Sequence, residues 1–220
     1  MEKLLKTPET GEEGELDLSE FIILDGRIGS YPDIYLAKYR TNFGSDQYDA
    51  HKALHETNST LFMTTPRMLI DLISDLESGK QLYNGLGNRI SSKESKQILD
   101  EIVGIRNPIR GERLDASFRI VGKHIFIDYN HRFVDGELKP QSSEPLEDCL
   151  MENCYVDILS ANRQGLPTRR YNNGVYYIYP RDVTVARFGA ISGKVGLYCV
   201  WDYRYSDPAL GVRRAKIKER

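Results

Sequence analysis

Residues 188–215 read FGAISGKVGLYCVWDYRYSDPALGVRRA. Val195, Leu197 and Cys199 alternate with Gly196, Tyr198 and Val200, the period of two that sends successive side chains of a strand to opposite faces. One set can hold a core while the other is exchanged without touching it. Phe188, Ala190, Leu210 and Val212 suit the core set. Between them stand Gly, Tyr, Ser, Asp and Trp, types that binding surfaces favour because aromatics bring much contact area at little rotamer cost and small residues let them adapt. Tyrosines also fill half-buried strands well, so composition alone leaves a ligand surface and an ordinary Tyr-rich sheet equally open. Of 14 tyrosines, Tyr171, Tyr176, Tyr177, Tyr179, Tyr198, Tyr203 and Tyr205 all follow residue 170, which singles out the C-terminal region.

Working back toward the N-terminus, Val175–Tyr179 is dense in β-favouring residues and is stopped by Pro180. Tyr155–Leu159 also reads as a strand, and Leu146–Met151 as a short helix. Phe118 and Ile120, then Ile125 and Ile127, alternate about Gly122-Lys123 as in a two-residue hairpin. Two amphipathic helices come before it. Thr65 caps the first, Pro66 takes its first position, Leu69, Leu72, Ile73 and Leu76 share a face, and Gly79 supplies the stop. Ser91 and Glu94 have capping-box spacing for the second, whose stripe is Ile98, Leu99, Ile102 and Val103 and which ends at Gly104. Ser45–Thr57 is a weaker helix candidate, capped by Ser45. Phe21–Leu24 is a first strand. Residues 1–20, with seven acidic and two basic side chains, read as an extended or mobile acidic arm, leaving 21–220 as a single domain. The fold class is α+β, with short and mostly antiparallel strands and no regular βαβ alternation.

At 220 residues, with 40% hydrophobic and 28% charged side chains, the chain can sustain a core without disulfides or metal, and no apolar run is long enough to span a membrane. Membrane insertion is not expected. A net charge of −2 would not concentrate DNA or RNA, so nucleic acid is an unexpected partner. Cys149, Cys154 and Cys199 form neither a disulfide framework nor a familiar metal spacing. The N-terminus lacks the apolar core of a signal peptide, so synthesis in the cytoplasm without Sec export is expected.

Several constellations have ordinary readings. His51 and His55 would share a helix face, but Lys52 stands where a zinc protease needs Glu, and with Asp49 and Glu56 alongside a solvated helix surface is expected over a metal site. His124 and His131 have no Cys or Ser neighbour that would make a nucleophile. Asn84-Gly85-Leu86-Gly87-Asn88 follows a helix and lacks the Lys-Ser/Thr ending of a phosphate loop, so it reads as a turn. Arg106, Arg110 and Arg113, interleaved with Glu112 and Asp115, read as a surface salt-bridge patch rather than an anion site.

The segments Ala186-Arg187-Phe188-Gly189-Ala190-Ile191-Ser192, Leu197-Tyr198-Cys199 and Ser206-Asp207-Pro208-Ala209-Leu210-Gly211-Val212-Arg213 resemble the C-terminal variable region of proteins diversified by diversity-generating retroelements, in particular variable proteins of archaeal viruses and small-genome archaea. The Thr65-Pro66 helix, Gly104-Ile105-Arg106-Asn107-Pro108 with Leu114-Asp115-Ala116, and Gly165-Leu166-Pro167 to Tyr179-Pro180-Arg181-Asp182 are similar to that group as well. The resemblance implies a C-type lectin fold of the formylglycine-generating-enzyme variety, with a variable region over about 187–213 presented to a protein or cell-surface ligand. Copying errors at template adenines turn Asn codons into others. The implied variable, ligand-binding positions of reachable type are Gly189, Ile191, Gly193, Gly196, Tyr198, Val200, Tyr203, Tyr205, Asp207 and Pro208. Trp201 is grouped with them. Trp201 and Lys194 are not reachable from Asn codons by adenine change alone, so they are either frame positions or have different template codons.

The formylglycine-generating relatives use two cysteines for copper-dependent oxidation, and only Cys199 lies in this region. No carboxylate-rich calcium cage is evident in the last strands. The expectation is therefore a non-enzymatic binding protein with no cofactor and no metal, displayed on a virion or cell surface. The alternatives are an oxidoreductase on the same fold, or an assembly protein whose Tyr-rich sheet is an ordinary interface.

Overall fold

A computed structural model describes residues 16–27, 30–105, 110–191 and 193–219; of Ile191 it describes the backbone alone. Residues 1–15 of the expected arm, together with Arg106, Asn107, Pro108 and Ser192, lie outside the described residues. The rest of the arm is docked. Leu18–Glu20 form a 3-10 turn capped by Asp17, and the Leu18 carbonyl accepts from the Gly85 N–H at 3.0 Å.

The chain is α+β. Three helices, α1 (Gln47–Thr57), α2 (Pro66–Glu77) and α3 (Ser92–Val103), accompany two sheets among the described residues. The smaller sheet contains β1 (Phe21–Leu24), β2 (Ile34–Ala37) and β3 (Phe62–Met63) with the C-terminal strand β12 (Arg214–Ile217), in the order β1-β2-β12-β3. The larger contains β4 (Gly111–Val121), β5 (His124–Val134), β6 (Glu137–Pro145), β7 (Cys154–Val156), β8 (Val175–Ile178), β9 (Thr184–Ile191), β10 (Lys194–Trp201) and β11 (Leu210–Val212). Its order is β6-β5-β4-β9-β10-β8-β7, with β11 pairing β4. Most neighbours are antiparallel, but β10 pairs β8 and β11 pairs β4 in parallel, so the sheet is mixed.

Helices α2 and α3 form where their caps predict. Thr65 and Ser91 each accept a backbone N–H three residues on, and Gly79 takes φ +70° just past α2. The fully buried Leu69, Leu72 and Ile73 and the nearly buried Leu76 bring the α2 stripe into the core. A third helix stands beside the two expected ones: α1 starts one residue later than expected, capped by Asp46 rather than Ser45. Gly122 turns the β4–β5 hairpin at φ +64°.

Two of the expectations fail, and one strand was not expected. Leu146–Met151 is irregular, not helical. β4, β5 and β6 run 11, 11 and 9 residues, longer than the short strands expected. β6 itself gives no apolar alternation because it is an exposed edge, where Pro140 and Pro145 cost no ladder bond that a central strand would need.

The close of the chain knits the sheets together. Arg213 is fully buried and donates to Glu112 at 3.1 Å, Glu101 at 2.9 Å and the Ala37 carbonyl at 2.9 Å, and also to the Lys38 carbonyl. Burial opposes charging this guanidinium, but Glu112 and Glu101 outweigh it and hold its pKa above the ordinary value. The expected surface patch is thereby dismantled. Strand alternation in β4 turns Glu112 inward to Arg213 and Arg113 to the opposite face, and both are buried.

Candidate functional site

On β10, Leu197 and Cys199 are buried in the core and Val195 packs partly against it. The opposite face is built row by row. Gly111 of β4 sits beside Gly189 of β9, which sits beside Gly196 of β10, which pairs Tyr176 of β8, which pairs Tyr155 of β7. In the next row Arg113 pairs Arg187 and Arg187 pairs Tyr198. Three glycines side by side leave a bare strip of backbone. The Tyr198 ring folds back across it, so a Cβ on Gly196 would lie 2.4 Å from Tyr198 Cζ. Leu210 closes the other end, its Cδ2 lying 2.7 Å from a Cβ built on Gly111.

Strict alternation would turn Trp201 toward the core with Leu197 and Cys199. A bulge prevents it. Tyr198 pairs Arg187 whereas Trp201 pairs Val185, so β10 carries one extra residue between them and Trp201 emerges on the outer face. Arg187 packs against two neighbouring aromatic rings, with its Cζ 4.8 Å from the Trp201 centroid and 4.7 Å from that of Tyr205, and the two rings are themselves 4.8 Å apart. Both arginines support the loop after β10. The Tyr205 carbonyl accepts from Arg113 at 2.8 Å and from Arg187 at 3.0 Å. Burial first, and then the like charge of Arg113, push the Arg187 guanidinium down to about 9.

Together these groups enclose a hollow of about 130 Å³, whose lining includes Gly189, Tyr198, Trp201, Tyr205, Asp207 and Arg187. Its lining is rich in aromatic side chains, and Arg110, Arg187 and Asp207 add charge to it. Beyond the Tyr198 ring, Lys194 lies over Tyr176 and Tyr155 at 4.9 and 5.5 Å and extends the aromatic surface across the sheet.

The expected positions do not all behave alike. Tyr198 is 6% exposed, so the reading of it as a solvent-facing side chain is corrected: it is on the outer face but lies flat over glycine. Tyr205 is 39% exposed, while Trp201 and Val200 are half-buried. Gly189 has no room for a side chain, because a Cβ there would meet Gly111 Cα at 2.5 Å and the Arg110 carbonyl oxygen at 2.6 Å. It is a frame position. Gly193 is exposed at φ +75° in the β9–β10 turn with open space around it. Pro208 is exposed on the loop. Tyr203 faces elsewhere: its carbonyl accepts from the Gln47 N–H at 3.2 Å at the start of α1, and burial, then the Asp115 charge, raise its hydroxyl pKa. The side chain of Ile191 lies outside the described residues.

Residues that the sequence reading did not assign to this surface are Arg187, Arg113, Gly111, Tyr155 and Tyr176. Their partners lie on other strands, so only the glycine in each of three strands was open to sequence reasoning, and only once the register was known.

The histidines also differ from expectation. His51 is 4% exposed, on the inner face of α1, whereas His55 is exposed. His51 meets Asp115 of β4 and His131 of β5. His131 Nδ1 lies 2.5 Å from Asp115 Oδ1, the His131 N–H donates to Asp115 Oδ2 at 3.0 Å, and His51 Nε2 stands 3.6 Å from Asp115 Oδ1. Burial would raise the Asp115 pKa, but His131 and His51 outweigh it and hold it below the ordinary value; burial would lower that of His131, but Asp115 raises it. Burial pushes His51 down to about 4.

Burial also raises the pKa of all three thiols, and Cys199 is fully enclosed. At neutral pH they are thiols rather than the thiolates that attack substrates and bind soft metals. No family model, curated protein or solved structure matches this chain.

Proposed function

We propose that the protein is a non-enzymatic ligand-binding protein that offers the hollow around Trp201, Tyr205 and Tyr198 to a protein or cell-surface target. The observation that carries this reading is the placement of the Tyr-rich C-terminal residues: one stretch of chain supplies core from Leu197, Cys199 and Val212, and from other positions supplies an aromatic concavity. Concave aromatic surfaces with a few polar groups at the rim are the usual form of a recognition site. No helix among the described residues is long and apolar enough to cross a membrane, so insertion by a helix within them is not part of the reading.

The finer proposal is a C-type lectin scaffold of the formylglycine-generating-enzyme variety, diversified by an archaeal retroelement and displayed on a virion or cell surface. It rests on the likeness of 186–213 to such variable regions. Within this proposal the positions available for exchange are Ile191, Tyr198, Val200, Trp201, Tyr203, Tyr205, Asp207 and Pro208; Gly193 is held by its positive φ, Gly196 by the Tyr198 ring, and Gly189, which has no room for a Cβ, is left out of the set.

Sequencing the flanking DNA tests the diversification. A near-copy of the codons for 187–213, differing mainly at adenines and accompanied by a reverse transcriptase gene, is expected; an intact locus with neither contradicts it. Binding itself is tested by capture from host-surface extracts, comparing the native chain with a Trp201→Ala, Tyr205→Ala double variant. Loss of the captured species with the double variant is expected, and equal capture by both would remove the hollow from the binding site.

A further inference from the structure

We propose that His51, Asp115 and His131 form a metal site that takes one divalent transition ion of the zinc type and clamps α1 onto the β4–β5 hairpin. The three donors come from three separate elements and their ligand atoms all lie within 4.8 Å of one another, inside the protein. Two imidazoles and one carboxylate are a borderline donor set. It suits zinc and its first-row neighbours rather than calcium or magnesium, which take oxygen cages.

The spacing at His51 is what separates this from a plain hydrogen-bonded cluster, and the widest gap between donors, within 4.8 Å, would close by at most about 1.5 Å around one ion. A tetrahedral ion about 2.0–2.2 Å from its nitrogen and oxygen ligands holds those ligands roughly 3.3–3.5 Å apart. His51 Nε2 to Asp115 Oδ1 is 3.6 Å, beyond hydrogen-bond reach and right for two ligands of one ion. The His131 Nδ1 to Asp115 Oδ1 contact of 2.5 Å would open by less than about 1 Å. His51 Nε2 is buried, has no hydrogen-bond partner, and faces the carboxylate it does not reach. Without an ion, that nitrogen is left unsatisfied in the interior, which is unfavourable. With one, each donor is used: the backbone N–H of His131 occupies Asp115 Oδ2, leaving Oδ1 for the metal, which is the kind of supporting bond that orients ligands in such sites.

Three protein donors leave the fourth tetrahedral position to a water, and none of the three lines the aromatic hollow, so the proposal stands apart from the ligand-binding reading. It also places the clamp beneath Tyr203, whose backbone docks on the first residue of α1. The ion would thus fix one root of the loop that carries Tyr203 and Tyr205.

The test uses the full, tag-free chain, stripped with chelator, reloaded with Zn2+ or Co2+ and desalted. One metal per chain by elemental analysis, a visible four-coordinate Co2+ spectrum, and a melting temperature roughly 5–10 °C higher with free Zn2+ at 100-fold its Kd are expected. His51→Gln should lose most of the bound metal and the shift, while His55→Gln, four residues on and exposed, should lose neither. A native chain that retains no more metal than His51→Gln and gives no Co2+ band overturns the proposal, as does equal loss in His55→Gln. Should His51→Gln fail to fold, the Co2+ spectrum and stoichiometry of the native chain decide alone.

Discussion

Replacing Gly189 by alanine separates frame from exchangeable surface. A Cβ there would sit 2.5 Å from Gly111 Cα and 2.6 Å from the Arg110 carbonyl oxygen, both backbone atoms of the neighbouring chain segment. Carbon atoms rest about 3.5–4.0 Å apart, so β9 and the start of β4 must separate by about 1 Å. That movement strains the pairing of Gly111 with Gly189 and the 3.0 Å bond from the Ala190 N–H to the Arg110 carbonyl. Overpacking costs about 1–3 kcal/mol and a weakened hydrogen bond about 1 kcal/mol more. The expected loss is therefore about 2–4 kcal/mol, or a fall in melting temperature of roughly 4–16 °C for a chain of this size. Urea unfolding followed by circular dichroism measures it, as a lower midpoint at unchanged slope. Gly196→Ala should cost less, because its Cβ meets only the far end of the Tyr198 ring, which can swing away. Tyr205→Ala, at a side chain already 39% exposed, should stay within about 1 kcal/mol. If Gly189→Ala unfolds at the native urea midpoint, or is milder than Gly196→Ala, the division between frame and surface drawn for β9 is wrong.

Arg213→Met should cost about 3–5 kcal/mol in the same assay, since it strands Glu112, itself 1% exposed, without its partner; a loss below about 1 kcal/mol would show that the network does not hold the sheets together. Glu144 is bound by Arg163, Gln164 and Tyr129, which outweigh burial and keep its pKa below the ordinary 4.5. A carboxylate with a depressed folded pKa stabilises fully above its unfolded value, and that stability goes as pH falls through the folded value. Glu144→Gln should accordingly lower stability at pH 7 and show a flatter acid limb than the native chain as pH falls below the ordinary carboxylate value of 4.5; parallel limbs would refute the assignment. Tyr198→Phe should be nearly neutral, because the hydroxyl reaches only the Lys194 carbonyl at 3.4 Å, and a large loss would mean that the ring is held by its polar end rather than by packing.

What the sequence discloses is local. The caps Thr65 and Ser91, the Gly122 turn and the alternation through Leu197 and Cys199 involve neighbours in the chain, and each forms as read. Residues whose roles come from distant partners were misplaced. His51 looks like a solvated helix position until β4 and β5 bring Asp115 and His131 against it. Arg113 and Glu112 look like one surface patch until the pleat of β4 sends them to opposite faces. Trp201 falls on the core side of a strict period of two, and only the bulge after Tyr198 returns it to the outer face. β6 is hidden because an exposed edge needs no apolar pattern.

A pair of libraries on the full chain tests the central division most directly, scored by resistance to protease on a display host. Randomising Val200, Trp201, Tyr205 and Asp207 should leave most variants folded, whereas randomising Ala186, Leu197, Cys199 and Val212 with the same codons should leave few. Equal survival of the two libraries, or collapse of the first alone, would contradict the account.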